Sequence, residues 1–349
     1  MDIRAVICAL AAAALFGMST PLAKLLVGVT DPWLLAGLFY LGSGIGLATL
    51  RSGLARWRVQ AETPLARRDV PWLAGAILFG GIVGPILLMV GLTHTEGTAA
   101  ALLLTMEGVA TALIAWFAFR ENFDHRIALG MALIVAGAMV LAWQGDVTFA
   151  GLLGPLAIVG ACVAWGIDNN LTRKVALADP LQIAMIKGLV AGPVSLALAL
   201  AGGARLPAID TTAVALLVGF FGYGLSLVLF VVALRHLGTA RTGAYFSTAP
   251  FLGAAIAIPV LGDPVSLQLL TAGVLMAAGV WLHLTERHEH EHEHDPLEHS
   301  HRHVHDGHHR HAHADGDPPG EPHSHRHAHV RLRHTHVHVP DAHHRHGHS

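Results

Sequence analysis

The chain is predicted to be an all-α integral membrane protein: ten transmembrane helices in two inverted five-helix repeats, with a disordered histidine-rich tail behind them. Four observations carry this. The 349 residues are 53% hydrophobic and only 13% charged, with a mean hydropathy of +0.52. Their apolar residues gather into runs of about 20, the length a helix needs to cross a hydrocarbon core of ~30 Å. Segments recur at a fixed spacing. Finally, composition changes near Glu286, beyond which 23 of the 27 histidines lie. The predicted organisation is a first repeat over 1–146, a second over 147–285 and the tail over 286–349.

In order, the hydrophobic segments are Ala5–Val27, Trp33–Leu50, Trp72–Leu92, Thr98–Phe119, Ile127–Trp143, Phe149–Leu171, Leu181–Leu200, Thr212–Leu234, Thr242–Leu261 and Leu267–Leu284. A soluble helical protein would show polar stripes at a 3.6-residue period; these segments are apolar nearly all round. The opening Met1-Asp2-Ile3-Arg4 and its Ala/Leu run resemble a signal peptide. The run continues to Val27 and has a second copy downstream, so it is read as a retained helix. Cys8 and Cys162 both fall inside predicted helices and form no CxxC, which gives neither a disulfide framework nor a cysteine metal site.

Charge sets the orientation. Arg51, Arg56, Arg58, Arg67 and Arg68 follow helix 2, Arg120 and Arg126 follow helix 4, Arg173 and Lys174 follow helix 6, and Arg235 and Arg241 follow helix 8. The alternate loops hold almost no positive charge, Arg205 excepted. Cytoplasmic loops carry the Lys/Arg excess, so the protein is expected in the plasma (inner) membrane with both termini and the tail cytoplasmic.

At an offset of 142, Phe79-Gly80 matches Phe221-Gly222, Leu92 matches Leu234, His94 matches His236, Ile114-Ala115 matches Ile256-Ala257, and Ala136-Gly137 matches Ala278-Gly279. At 149, Phe16-Gly17 matches Trp165-Gly166 and Lys24 matches Arg173. Five spans per half is odd, so the second half enters the membrane in the opposite sense. Inverted repeats of this kind are common in secondary transporters, with the substrate site near the midplane.

Thr105-Met106-Glu107-Gly108 recurs as Ser247-Thr248-Ala249-Pro250, followed in the two halves by Arg120-Glu121 and Gly262-Asp263. With Gly130 and Gly137 spaced along the next helix, this resembles the EamA-type drug/metabolite transporters across residues 5–284. The family pattern has a small or hydroxyl residue, Leu, Glu and Pro, then Gly-Glu at the helix end. Here Gly108 replaces the Pro, Arg120 the Gly, and Ala249 the second Glu. The resemblance implies the scaffold and transport of a small-molecule substrate; it leaves substrate identity open. Any role for the acid rests on Glu107 alone.

Glu107 lies near the middle of its span, where an ionised carboxylate costs at least ~2.5–3.5 kcal/mol and faces protein or water rather than lipid. It is the leading coupling candidate; the alternative is a structural pin. Thr105 precedes it and Thr111 follows one turn on. Asp168, Asn169 and Asn170 near the end of helix 6 are candidates for an inner gate or substrate site. Lys187 sits about 10 Å into helix 7 by helical rise, a depth at which it pairs with Asp168 or snorkels. Thr20, Tyr245 and Ser247 are further cavity candidates. Lys24 is read as snorkelling.

The tail alternates histidine with acids and arginine and repeats itself: His299-Ser300-His301-Arg302-His303 returns as His323-Ser324-His325-Arg326-His327. Imidazole suits Ni, Zn, Cu and Co, so His288, His290, His292, His294, His299, His301, His303, His305, His308, His309, His311, His323, His325, His327 and His329 are expected to bind divalent metal ions. With few apolar residues the tail is expected to lack a fold. No cofactor is required. A secondary transporter of a small metabolite is favoured over a divalent-metal exporter with the tail as collector, and over a membrane-anchored metal sensor or buffer. No P-loop or GxSxG is present and no HExxH lies within a predicted membrane helix, which argues against ATP drive and intramembrane catalysis, and no nucleic-acid motif appears.

Overall fold

A computed structural model describes residues 3–56, 62–119, 125–143 and 149–285, with four short segments of the tail. Ten helices within it are long and apolar enough to cross a membrane: α1 (Ile3–Val27), α2 (Pro32–Leu54), α3 (Arg67–Thr93), α4 (Gly97–Ala118), α5 (His125–Ala142), α6 (Gly151–Arg173), α7 (Pro180–Ala201), α8 (Ile209–Leu237), α9 (Thr242–Leu261) and α10 (Leu267–Leu284). The sequence places every one of them. The ends differ most at α3, which begins with a 3₁₀ turn over Arg67–Asp69, and at α8, which takes in Arg235 and His236.

Packing follows the repeat. Extensive interfaces join α2 with α7 and α5 with α10, each the same helix of the two halves. The bundle core is completed by α1 against α8 and α9, and by α6 against α3 and α4. In a membrane no water drives helices together, so association rests on close van der Waals contact between small residues. Gly44 shows this on the α2–α7 seam, where an added methyl would meet the Leu189 nitrogen at 2.6 Å.

Two departures from α-helix geometry repeat between the halves. The α3 helix winds into a π-helical turn over Ile77–Val83, and α8 does so over Gly219–Leu225, 142 residues later at either end. Such turns release carbonyls from the regular ladder. The second departure breaks α4 between Gly97–Leu103 and Met106–Phe119, and interrupts the chain between Phe246 and Ala249 at the matching place in α9. At both breaks hydrogen bonds tighten to three-residue spacing, as in Glu107 N–H to Leu104 O (3.0 Å) and Thr248 N–H to Tyr245 O (3.2 Å).

In the tail the backbone forms β1 (Glu289–His294), β2 (Leu297–His303), β3 (His323–His329) and β4 (Leu332–Val337), with β1 antiparallel to β4 and β2 to β3. Alternation of histidine with other residues has the two-residue period of a strand, and antiparallel pairing satisfies backbone groups without an apolar core.

Candidate functional site

The polar side chains of the membrane domain converge where α6 meets α2, α3, α4 and α7. One helical turn of α6 supplies Asp168 and Thr172 on one face, since residues four apart are neighbours on a helix. The Thr172 hydroxyl donates to Asp168 Oδ1 at 2.8 Å. Lys187 of α7 donates from Nζ to both carboxylate oxygens of Asp168, at 2.7 and 2.6 Å, with 1% of its surface exposed. An ammonium and a carboxylate so deeply buried persist only because each neutralises and hydrogen-bonds the other.

The π-turn of α3 builds the wall behind this pair. Its Gly80 carbonyl accepts hydrogen bonds from the Tyr40 hydroxyl (2.6 Å) and from Trp165 Nε1 (3.0 Å). A side chain at Gly80 would occupy the place of the Asp168 carboxylate. Trp165 in turn stands edge-on to Phe16, its repeat mate in α1, with ring centroids 5.6 Å apart at 84°. Tyr223, on the second π-turn, packs against Phe16, Phe39 and Tyr40.

Glu107 heads a second, separate cluster. It lies in the first turn of the half-helix Met106–Phe119, where the helix dipole favours an anion. Asn169 donates from Nδ2 to Glu107 Oε1 at 2.9 Å and lies within hydrogen-bonding distance of Thr111 Oγ1 at 3.2 Å. Asn170 ties the same helices together through the carbonyls of Thr111 and Gly166, while its own oxygen is buried with no partner among the described residues. Glu107, Asn169 and Thr111 are only half-buried, whereas Asp168 and Lys187 are closed away. The site thus has a locked ion pair and a half-buried carboxylate side by side, held by the consecutive α6 residues Asp168 and Asn169.

Other sequence-predicted residues fall elsewhere. Thr105 and Ser247 sit at the two breaks and donate to local carbonyls, Leu102 O and Gly243 O; Ser247 Oγ lies 3.1 Å from where a Gly108 methyl would be. Thr20 is buried in α1. Tyr245 packs on the separate cluster of Ala5, Ala9, Ala233 and Leu237 and is not brought to Glu107. Lys24 does not snorkel: Nζ donates to Leu92 O (2.6 Å) and Thr95 O (2.8 Å), capping the end of α3. Arg235 is not a loop charge. It is 3% exposed inside α8 and donates to Ala176 O, Ala178 O and Glu62 Oε2, at 3.2, 2.8 and 3.0 Å. At the opposite end, Asp263 Oδ2 accepts from both the N–H and hydroxyl of Thr98 at 2.7 Å, clasping α4.

Sequence reasoning did not find Tyr40, Trp165 or the Gly80 carbonyl. The repeated Phe79-Gly80 and Phe221-Gly222 pairs mark the place, but not the winding that frees the carbonyl. Of the tail histidines, His288, His305, His308, His309 and His311 lie outside the described residues; the other ten named lie on β1, β2 or β3, described by their backbone.

The EamA-like transporter family model matches residues 3–143 and again 152–285. An uncharacterised transporter of Methanothermobacter thermautotrophicus is 29% identical over 284 residues, spanning 76% of this chain and 82% of that protein. A probable 4-amino-4-deoxy-L-arabinose-phosphoundecaprenol flippase subunit, ArnE of Pseudomonas fluorescens, is 30% identical over 98 residues, 28% of this chain and 85% of the subunit. Among solved structures, one crystallised protein superposes with a TM-score of 0.61 at 19% identity, covering 80% of this chain and 94% of the other, a likeness of fold. With both halves matched, the chain belongs to the EamA-like transporter family.

Proposed function

We propose that the protein is a secondary-active transporter of a small metabolite, rocking its repeats, 1–146 and 147–285, about the central site, with Glu107 as the coupling carboxylate. The observation that carries this is the contrast within the site. Asp168 is held by Lys187 and Thr172 out of reach, while Glu107 is half-buried at a half-helix terminus beside a single amide partner. A carboxylate that must exchange a proton or cation needs access and replaceable partners; a buried, doubly bonded pair has neither. Asp168 and Lys187 are then positioning residues that hold Asn169 against Glu107.

The Lys/Arg distribution supports residence in the inner membrane with cytoplasmic termini. The tail histidines supply Ni, Zn, Cu or Co ligands at that face, so a divalent-metal exporter is the competing reading. The likeness to a flippase subunit adds lipid-linked sugars to the substrate panel. The test is uptake into proteoliposomes of full-length protein across amino acids, sugars, lipid-linked sugars and the four metals, with and without a proton gradient. Glu107→Gln is expected to retain the fold and substrate binding but lose gradient-driven uptake by at least about tenfold, the equivalent of 1.4 kcal/mol. Uptake by Glu107→Gln equal to wild type would overturn the assignment. Flux of metal alone, lost when the chain ends at Leu284, would put the exporter first.

A further inference from the structure

A groove of about 350 Å³ lies between α3 and α7, away from the central site, lined by Leu65, Val70, Leu73, Ala74, Ile77 and Ile186, with Arg67 and Gln182 also on its wall. Arg67 opens α3 and Gln182 is the third residue of α7, so both belong to the arginine-rich end of the bundle. Ile77, the deepest residue along α3, is ten residues further on. That is about 15 Å of helix, half of a ~30 Å hydrocarbon core and so the depth of one leaflet. Ala74 and Val70 are exposed, so the groove is open along the flank that faces lipid.

Charge gathers at the mouth. The Arg67 guanidinium has no ion pair among the described residues; Arg68 is 3.9 Å from Asp69, whose carboxylate also accepts from Ala66 N–H. Arg67 and Arg68 against Asp69, with Asp179 at the start of α7 paired to Arg51 at 3.6 Å, leave a net positive rim above an apolar slot. Basic pockets between helices at the cytoplasmic face suit anionic headgroups.

We propose that this groove is a binding site for one anionic phospholipid of the phosphatidylglycerol type, its phosphate at Arg67 and one acyl chain laid along α3 to Ile77. The inference rests on the reading that this end faces the cytoplasm, not on the transport reading. It carries a consequence for the centre: the bound chain ends against the first residue of the π-turn whose Gly80 carbonyl holds Tyr40 and Trp165. Near the mouth, Leu65 N–H bonds Gln182 Oε1 at 3.0 Å, so the lipid lies beside an existing tie between the loop before α3 and α7.

The test uses full-length protein in nanodiscs of phosphatidylcholine or of an equimolar phosphatidylcholine–phosphatidylglycerol mixture, read by native mass spectrometry and thermal unfolding. Wild type is expected to keep one phosphatidylglycerol through delipidation and to unfold several degrees higher in the mixture. Arg67→Gln, a surface change, is expected to weaken retention about fivefold, the effect of one interfacial charge. Ala74→Trp, which fills the slot from its lipid side, is expected to abolish retention. Both variants should unfold alike in the two membranes. Equal retention of phosphatidylcholine by wild type, no retained lipid, or wild-type retention by either variant would overturn the proposal.

Discussion

At the scale of single residues, the Asp168–Lys187 pair decides how the site tolerates change. Lys187→Met leaves a carboxylate buried without its counter-charge, which costs roughly 3–5 kcal/mol. Adding Asp168→Asn removes the stranded charge, and most of the loss should return. Thermal unfolding of the two single variants and the double in detergent measures this; equal destabilisation by the single and the double would mean that the pair is not coupled. The pair was legible because Asp168 and Lys187 sit at similar depths from the same membrane face, and sharing a depth is a precondition for meeting. Lys24 and Arg235 were not. A basic residue near a helix end reads as a snorkel or a topology signal whether its head reaches water or, as here, the carbonyls of a neighbouring turn. Sequence position gives depth but not azimuth. For the same reason Tyr245 looked equivalent to Ser247 and is turned to another cluster.

At the scale of elements, all ten spans were legible because hydrophobic length alone specifies a crossing. Their irregularities were not. A glycine-rich segment permits a π-turn without requiring one, and the α4 break has no proline to announce it, Gly108 standing where the family pattern has Pro. The Gly80 turn makes the sharper prediction. A methyl there meets the Asp168 carboxylate, so Gly80→Ala should destabilise by about 1–3 kcal/mol, the usual range for overpacking, and lower transport with it. Gly53→Ala in α2 meets nothing within 4 Å and should be neutral or stabilising by about 0.5–1 kcal/mol, the helix-propensity gain. Unfolding midpoints of the two variants side by side separate a steric effect at the site from a general effect of adding a methyl to a helix.

At the scale of the whole molecule, the major interfaces run between halves: α2 against α7, α1 against α8, α3 against α6 and α5 against α10. Neither half buries these faces by itself. Residues 1–146 and 147–285 expressed as separate chains are therefore expected to co-purify as a one-to-one complex and to regain transport, while each alone aggregates or is degraded. A first half that stays monodisperse alone in detergent would show that the seams do not hold the bundle together. The repeat register foreshadowed this pairing, since equivalent helices of an inverted duplication flank a common axis. Which equivalent pairs touch was not readable, because it depends on small-residue contacts such as Gly44 with Leu189, which look like any other glycine in an apolar run.

Cys162 lends the α4 break a practical use. Its thiol is fully buried, 3.7 Å from the Leu103 carbonyl that the interrupted helix leaves without its regular donor, and the one other cysteine, Cys8, lies near the start of α1. The unmodified protein therefore carries its own clock for the break. Any motion that restores or widens the α4 turn must uncover or re-shield a single sulfur, and the rate at which a maleimide alkylates Cys162 in a Cys8→Ser background counts those events. Substrate that closes the site should slow the reaction, and Glu107→Gln should shift the rate in resting protein even before a substrate is known.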